Sequence, residues 1–141
     1  MSLTLAIIKP DAVSRNMAGN IIALLEQKGF RVRAIRMTRL TERQAEEFYA
    51  VHSERPFYRS LVSFMTSGPA IPLVLEKDNA VPSLREAIGA TDPAEAAEGT
   101  VRALYAESKE RNAIHASDSD DNAAREIAFF FSASDLLLSE A

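Results

Sequence analysis

The sequence predicts an α+β fold: a sandwich of the split βαβ (ferredoxin-like) kind, in which helices cover a four-stranded antiparallel sheet. Short β-rich runs and amphipathic helical segments follow in the order β-α-β-α-α-β-α-α-β, and few strands with interleaved helices are typical of this architecture. The chain has 141 residues, 47% hydrophobic and 26% charged, which suits one globular domain. Repeats, low-complexity tracts and linkers are not visible, so we predict one domain over residues 1–141.

The first segments predict a strand, a helix and a second strand. Leu3–Ile8 is a short apolar run that Pro10 stops, as expected of a strand. The following helix ends at Lys28 and Gly29, because a basic last turn and a glycine favour termination. Phe30–Met37 alternates apolar residues with arginines and then shifts phase, which predicts a half-exposed strand with a bulge.

Two helices are predicted next. Thr41 and Gln44 form the capping-box pattern of a helix N-terminus. Pro56 suits the first turn of another helix, which ends at 67–69. The inner face of the first helix carries Ala45, Phe48, Tyr49 and His52. We therefore expect His52 to be a packed core residue.

A third strand and a short helix come after these helices. Ile71–Leu75 is an apolar run, in which Pro72 is tolerable only near the beginning or on an edge. The short helix Pro82–Ile88 is closed by Gly89.

The last part of the chain predicts three helix starts and a fourth strand. Asp92-Pro93 and Thr100 are typical of helix N-termini. Asp120 or Asp121 is expected to cap the final helix. We assign the fourth strand to the aromatic run Phe129–Phe131.

Composition excludes several classes of chemistry. The chain has no cysteine, which rules out disulfides, thiolate zinc sites, iron–sulfur ligation and a cysteine nucleophile. Twenty acidic residues against 16 basic ones give a net charge of -4, which disfavours nucleic acid or an anionic membrane as the main partner. No targeting segment or membrane span is visible, so we expect a soluble, cytoplasmic protein.

Glycine spacing excludes the common phosphate-binding loops. No two glycines are close enough for a Rossmann turn or a P-loop, and the protein-kinase signatures are absent. The glycines are Gly19, Gly29, Gly68, Gly89 and Gly99. If this protein handles phosphate, side chains in a local cationic cluster must hold it.

The acidic segment before the last helix resembles the opening of a calcium loop. Asp118, Asp120 and Asn122 have the EF-hand spacing, but Ala123 replaces the required glycine and Phe129 takes the twelfth position. We interpret these acids as residues that cap and charge a helix N-terminus.

His115 is predicted to lie in a polar loop between two helices. A lone loop histidine is usually a surface residue, and Ser117 and Asp118 are too close to it to form a Ser-His-Asp triad. A neutral imidazole is, however, a competent nucleophile. That role requires a second group that fixes its tautomer, and a cationic cradle if the substrate is anionic.

The segment Asn112-x-x-His115-Ala116-Ser117-Asp118 resembles the active-site signature of nucleoside diphosphate kinases. Other family motifs follow the same order and spacing, so that the resemblance spans residues 3–138. These motifs are 9–13, 48–49, 55–58, 64–69, Arg85 with 89–93, 99–102 and 124–127.

The resemblance implies a ferredoxin-like core and ping-pong transfer of the terminal phosphate from a nucleoside triphosphate to a nucleoside diphosphate, which maintains NTP and dNTP pools. His115 would be the nucleophile that becomes phosphohistidine. The other implied site residues are Lys9, Arg85, Thr91 and Arg102 on the phosphates, Asn112 with Lys9 on the sugar, Phe57 under the base, Tyr49 beside the histidine, and Glu126 with Ser117 supporting the imidazole.

The resemblance also implies Mg²⁺, carried mainly by the nucleotide phosphates because no carboxylate cage is evident. The implied partners are ATP and other nucleoside di- and triphosphates, and further copies of the chain, with a tetramer favoured and a hexamer or dimer possible. No membrane and no specific nucleic acid is expected.

Two departures from the family pattern and two rival functions stay open at this point. Ala116 replaces a commoner glycine, and Leu104-Tyr105 replaces an acid and a phenylalanine. Singly, Lys9 and the other implied residues also suit ordinary surface or packing roles. The first rival is a non-catalytic nucleotide-binding or regulatory module. The second is a scaffold or nucleic-acid-binding protein, and the absence of a stripe of basic and aromatic residues disfavours this second rival.

Overall fold

The computed structural model describes residues 1–140, with side chains described outside 137–140. Its centre is a four-stranded sheet in the order β2-β3-β1-β4, in which every neighbouring pair is antiparallel. The strands are β1 (Ser2–Ile8), β2 (Arg31–Ile35), β3 (Ile71–Lys77) and β4 (Ile114–Ala116). The predicted fold class is confirmed.

Seven α-helices surround this sheet in the described part of the chain. They are α1 (Pro10–Ser14), α2 (Ala18–Gln27), α3 (Glu42–Phe48), α4 (Tyr58–Met65), α5 (Ala80–Ile88), α6 (Val101–Tyr105) and α7 (Asp120–Phe130). Short 3₁₀ segments follow α3 and α7, at Ala50–His52 and Ala133–Glu140. None of the helices among residues 1–140 is long and apolar enough to cross a membrane.

The sheet separates two apolar layers, and β1 contributes to both. Ala6 and Ile8 pack in the layer with α2 and α5, whereas Leu5 and Ile7 pack in the layer with α3, α4 and α7. All four side chains are fully buried. Burial on both faces explains why residues 5–8 are apolar without alternation. Each buried Leu or Ile side chain stabilises the fold by about 1.5–3 kcal/mol.

The local signals in the first half of the chain predict the structure well. The pairing of β2 with β3 shifts register between Val32 and Ala34, so the predicted bulge is confirmed. Thr41 and Gln44 form a reciprocal capping box at the start of α3. Pro72 is the second residue of β3, and β3 is an inner strand. Of the two predicted places for this proline, the beginning of a strand is therefore confirmed and the edge strand is wrong.

The fourth strand is not the aromatic run Phe129–Phe131, and that prediction is wrong. Ile127 and Phe130 lie on the buried face of α7, with Phe131 one helical turn after Ile127. The spacing of three and four residues between these side chains is that of one helix face. Burial of this face outweighs the strand preference of phenylalanine. The fourth strand is β4, which pairs with β1 and contains His115, so the predicted loop position of His115 is also wrong.

Four helix predictions also differ from the structure, the first being α5, which begins at Ala80 and not at Pro82. Asp92-Pro93 forms a turn without a helix, in which the Asp92 carboxylate accepts from the Ala94 N–H at 2.9 Å. Ser119 caps α7 in place of Asp120 or Asp121, because its hydroxyl accepts from the Asn122 N–H at 3.1 Å. Helix α4 begins at Tyr58, so Pro56 precedes it.

We predict that Gly89→Ala destabilises the protein by about 3 kcal/mol, because an alanine there is both strained and overpacked. Gly89 has φ +88, and an added Cβ would lie 2.5 Å from Thr100 Oγ1 and 3.1 Å from Ala96 Cβ. Urea denaturation of both proteins measures the difference.

Gly19→Ala is the matched control, since Gly19 lies in α2 with open space around it. Alanine stabilises such a helical position by about 0.5 kcal/mol. Equal stability of Gly89→Ala and the native chain would contradict the prediction.

Candidate active site

A cleft of about 580 Å³ opens where β1 ends beside the edge strand β4. Antiparallel pairing sets Ile7 opposite His115, and Lys9 follows directly after β1. The sheet therefore brings the lysine and the histidine to the same cleft, although 105 residues lie between them in the sequence.

Nine of the ten predicted site residues line this cleft. They are Lys9, Tyr49, Phe57, Arg85, Thr91, Arg102, Asn112, His115 and Glu126. The tenth, Ser117, lies fully buried behind it and donates a hydrogen bond to Glu126. The tertiary structure thus assembles the whole predicted set.

A hydrogen-bond chain supports the imidazole. His115 Nε2 lies 2.7 Å from Glu126 Oε1, and the Ser117 hydroxyl donates to the same oxygen at 2.7 Å. Because an ionised carboxylate can only accept, Nε2 must carry the proton. The unshared electron pair of the neutral ring is then on Nδ1, a choice that the sequence left open.

The protonation states of this pair follow from burial and from the hydrogen bonds. Burial by itself would raise the pKa of Glu126, but the hydrogen bonds from His115 and Ser117 outweigh it and hold that pKa below its usual value. Burial lowers the pKa of His115, against the opposing effect of Glu126 and with the help of the nearby Lys9 and Arg102 charges. At neutral pH the carboxylate is therefore ionised and the imidazole neutral.

Aromatic rings hold the histidine from the α3 side. The Phe48 ring meets His115 edge-on at 5.4 Å, and the Tyr49 ring does so at 6.1 Å. The Tyr49 hydroxyl is buried without a partner in the described structure. His52 is half-buried between Tyr49 and Phe57 on the cleft wall, so its predicted core position is wrong.

Five cationic side chains line the cleft, and Lys109 and Arg125 are two of them. The other three are the cations predicted from the sequence, Lys9, Arg85 and Arg102. Within residues 1–140, none of these three forms an ion pair with a carboxylate of the described side chains. Burial and the neighbouring Arg102 charge lower the pKa of Lys9 to about 8. Three carboxylates, Glu110, Asp118 and Glu126, line the cleft beside the five cations, so its lining has a cationic excess in a chain of net charge -4. An anionic ligand would relieve the repulsion between Lys9 and Arg102.

Backbone carbonyls hold the buried Arg102 in place. Its guanidinium donates to the carbonyls of Gly89 at 3.1 Å, Asn112 at 3.3 Å and Ile114 at 2.7 Å. Burial, with the Arg85 charge, lowers the pKa of Arg102 to about 10, so it stays charged at neutral pH. Arg85 donates to the Ala116 carbonyl at 3.3 Å.

The mouth of the cleft is apolar on one side and polar on the other. Phe57 is 48% exposed and stands beside Leu61 on the apolar side. Asn112 is buried, its Nδ2 donates to the Lys109 carbonyl at 3.0 Å, and its Oδ1 has no partner in the described structure. An exposed ring and an unpaired buried oxygen are suited to a ligand with a flat face and hydroxyl groups.

The two departures from the family pattern leave the site intact. Ala116 lies in β4 and is not among the described residues with positive φ, so alanine is unstrained there. Leu104 and Tyr105 lie in α6 and do not line the cleft.

The prediction from sequence missed several cleft residues. Phe48 contacts His115, and Arg125 lies over the Phe48 ring at 5.9 Å. Asn122 and Arg125 also line the cleft beside Glu126. Asn122 lies three residues before Arg125 and four residues before Glu126, so it shares one side of α7 with them. This helical spacing is the sequence signal that would have predicted both residues.

Sequence comparison identifies close relatives. The family model "Nucleoside diphosphate kinase" matches residues 2–136. The nucleoside diphosphate kinase of Chlorobium luteolum is 58% identical over 139 residues, which cover 99% of each chain. The nucleoside diphosphate kinase of Chloroherpeton thalassium is 59% identical over 132 residues, or 94% of each chain.

Structural comparison agrees with the sequence. The Aquifex aeolicus nucleoside diphosphate kinase superposes with a TM-score of 0.94 at 46% identity, covering 96% of this chain and 98% of the other. The halophilic enzyme of Halobacterium salinarum, solved in complex with CDP, gives a TM-score of 0.91 at 41% identity, covering 96% and 90%. With the family model matched over nearly all of its length and its fold shared, this chain belongs to the nucleoside diphosphate kinase family.

Proposed function

We propose that this enzyme transfers the terminal phosphate of a nucleoside triphosphate to a nucleoside diphosphate through a phosphohistidine at His115, and so maintains NTP and dNTP pools. The chain is a nucleoside diphosphate kinase, as its family and its 58% identity to a named relative over 99% of its length indicate. The observation that carries the histidine mechanism is the Nε2 contact with Glu126, which leaves Nδ1 as the nucleophile in a cleft that Lys9, Arg85 and Arg102 also line.

The first half-reaction is an in-line displacement at the terminal phosphorus. The Nδ1 electron pair of His115 forms the N–P bond, and the bond from phosphorus to the bridging oxygen breaks with its electrons on the departing diphosphate. The positive charge that develops on the ring is stabilised by the Glu126 carboxylate, which accepts a hydrogen bond from Nε2–H of His115. The second half-reaction reverses these steps with a different diphosphate, which makes the mechanism ping-pong.

The cationic residues stabilise charge on the transferring group. Phosphoryl transfer depends mainly on positioning and electrostatics, so Lys9, Arg85 and Arg102 take the place of a glycine-rich loop. Thr91 supplies a hydroxyl at the same cleft, and the unpartnered Tyr49 hydroxyl lies on the histidine side.

The nucleoside occupies the mouth of the cleft. Its base stacks on the exposed Phe57 ring, which tolerates any base because every base has a π-face. Its sugar hydroxyls meet Asn112 and Lys9, consistent with the free Asn112 Oδ1.

Magnesium belongs to the substrate in this proposal. The described side chains contain no group of three or more His, Asp or Glu residues that could hold a metal ion. We assign the ion to the nucleotide phosphates, where it would neutralise charge on the transferring group.

The whole chain, residues 1–141, acts as one kinase domain in this proposal, and it works in the cytoplasm as a homo-oligomer. A tetramer is favoured, with a hexamer or dimer as the alternatives. Ile35 and Met37, exposed at the end of the edge strand β2, offer an apolar contact surface. The proposal includes no membrane and no specific nucleic acid as a partner.

We predict that His115→Ala abolishes phosphorylation of the protein and transfer to diphosphates while nucleotide binding persists. Incubation with γ-labelled ATP and magnesium, followed by a chase with unlabelled GDP, measures both steps. Acid-labile, base-stable label that moves to the diphosphate is the expected result for the native chain.

His52→Ala is the control, because His52 is the other histidine of the chain. The control is expected to accept label at His115. Label retained by His115→Ala would remove the mechanism, and a native chain that binds nucleotide without taking label would favour the non-catalytic module.

We expect Glu126→Ala to slow phosphorylation of His115 by about 10- to 100-fold, as loss of an orienting partner usually does. Glu126→Gln keeps an oxygen that accepts from Nε2 and should lose less. Rapid-quench measurement at saturating ATP separates this rate from affinity. A native rate in Glu126→Ala would contradict the orienting role.

Nucleotide binding should weaken as pH rises above about 8. Lys9 in the free protein has a pKa of about 8, so it loses its charge above that pH, and bound phosphates favour the charged form. Binding at pH 9 should therefore take up a proton, which calorimetry in buffers of different ionisation enthalpy detects. Lys9→Arg stays charged and should show no uptake; equal uptake in both proteins would exclude Lys9 as its source.

A further inference from the structure

The turn that precedes β4 has a rare backbone conformation. Ala113 has φ +74, and the Ile114 N–H donates to the Asn112 carbonyl at 2.9 Å. These two features define the classic γ-turn, which is strained for any residue with a side chain. Ala113 is fully buried, and the turn lies between Asn112 and His115, two residues to which the proposed function gives a role.

Groups from the end of β1 and the start of α1 hold this turn. The Asp11 carboxylate accepts from the Ala113 N–H at 3.1 Å, and the Lys9 N–H donates to the Ala113 carbonyl at 2.9 Å. Both polar groups of the strained residue are thus fixed by one short segment. The bond to Asp11 is made by a side chain and the bond from Lys9 by the main chain. A substitution of Asp11 therefore removes the first hydrogen bond and leaves the second in place.

Asp11 is buried at a cost that this contact explains. It is 2% exposed, its Oδ1 has no partner in the described structure, and its nearest cation is Arg15 at 3.7 Å. Burial raises the pKa of Asp11, and the hydrogen bond from Ala113 opposes that rise. A buried carboxyl with one oxygen unsatisfied is expensive, and its closest hydrogen-bond donor is the γ-turn.

The same turn orients a phosphate-binding cation. Arg102 donates to the carbonyls of Asn112 and Ile114, which flank Ala113, at 3.3 and 2.7 Å. Relaxation of Ala113 to negative φ would rotate the neighbouring peptide groups and disturb these contacts. The γ-turn thus links the position of Arg102 to those of Asn112 and His115.

We propose that Asp11 is a positioning residue for phosphoryl transfer: by holding the Ala113 N–H it keeps the γ-turn in its left-handed conformation and so fixes Asn112, His115 and Arg102 relative to one another. This inference rests on the proposed function. It adds a role for a residue that does not line the cleft.

Asp11→Ala should lower the rate constant for His115 phosphorylation by about 10- to 100-fold at saturating ATP, because small displacements of reacting groups have effects of this size. Asp11→Asn keeps an oxygen that accepts from Ala113 and should stay within about threefold of the native rate. Asp11→Leu, an apolar residue of similar size, repeats the test if Asp11→Ala fails to fold.

Ala113→Gly distinguishes positioning from mere stability. Glycine adopts positive φ without strain, so the turn no longer needs the carboxylate to hold it. In the Ala113→Gly background, Asp11→Ala should cost less than about threefold in the phosphorylation rate, a clear failure of additivity.

Leu25→Ala is the stability control, since Leu25 is a buried residue of α2 that does not line the cleft. It should lower stability to urea while the folded fraction keeps its phosphorylation rate. A native rate in Asp11→Ala, or an equal loss in both Ala113 backgrounds, overturns this inference alone. Failure of the native chain to accept phosphate overturns the proposed function and this inference with it.

Discussion

Arg102 ties the end of α5, the γ-turn and β4 together, and the site depends on that connection. Its buried guanidinium is satisfied by the carbonyls of Gly89, Asn112 and Ile114. Carbonyls accept hydrogen bonds without cancelling charge, so the cation remains free to attract a phosphate. A carboxylate in their place would have cancelled the charge of Arg102, and a chain of net charge -4 attracts an anion only through such local cations.

Glu126 performs the complementary task on the opposite side of His115. It is the carboxylate that the cleft needs, because its hydrogen bond to Nε2 leaves the electron pair on Nδ1. It also holds the imidazole where burial and the cations keep the ring neutral at physiological pH. Nucleophile and phosphate cradle therefore require opposite environments within one cleft, and the fold supplies them from different elements: α7 for Glu126 and the segments around β1, α5 and α6 for the cations.

Local sequence signals predicted elements whose pattern is complete within one segment. The capping box at Thr41 and the bulge of β2 are of this kind, and both are confirmed. β4 was missed because its three residues are too few to show alternation, and its pairing with β1 is formed across the whole length of the chain. The strand prediction for Phe129–Phe131 is wrong because it rests on the strand preference of aromatic residues, whereas Ile127 and Phe130 pack on the buried face of α7.

The sequence by itself determined the chemistry available to this protein: a histidine, cations without a glycine-rich loop, and no cysteine, in an order that resembles one kinase family. It predicted every residue of the proposed site, and nine of the ten line the cleft. Only the tertiary structure decided which imidazole nitrogen is free, that Arg102 is held by carbonyls, and that Asp11 supports a strained turn. Those choices depend on distances of about 3 Å between residues far apart in the chain, and no local pattern encodes such distances.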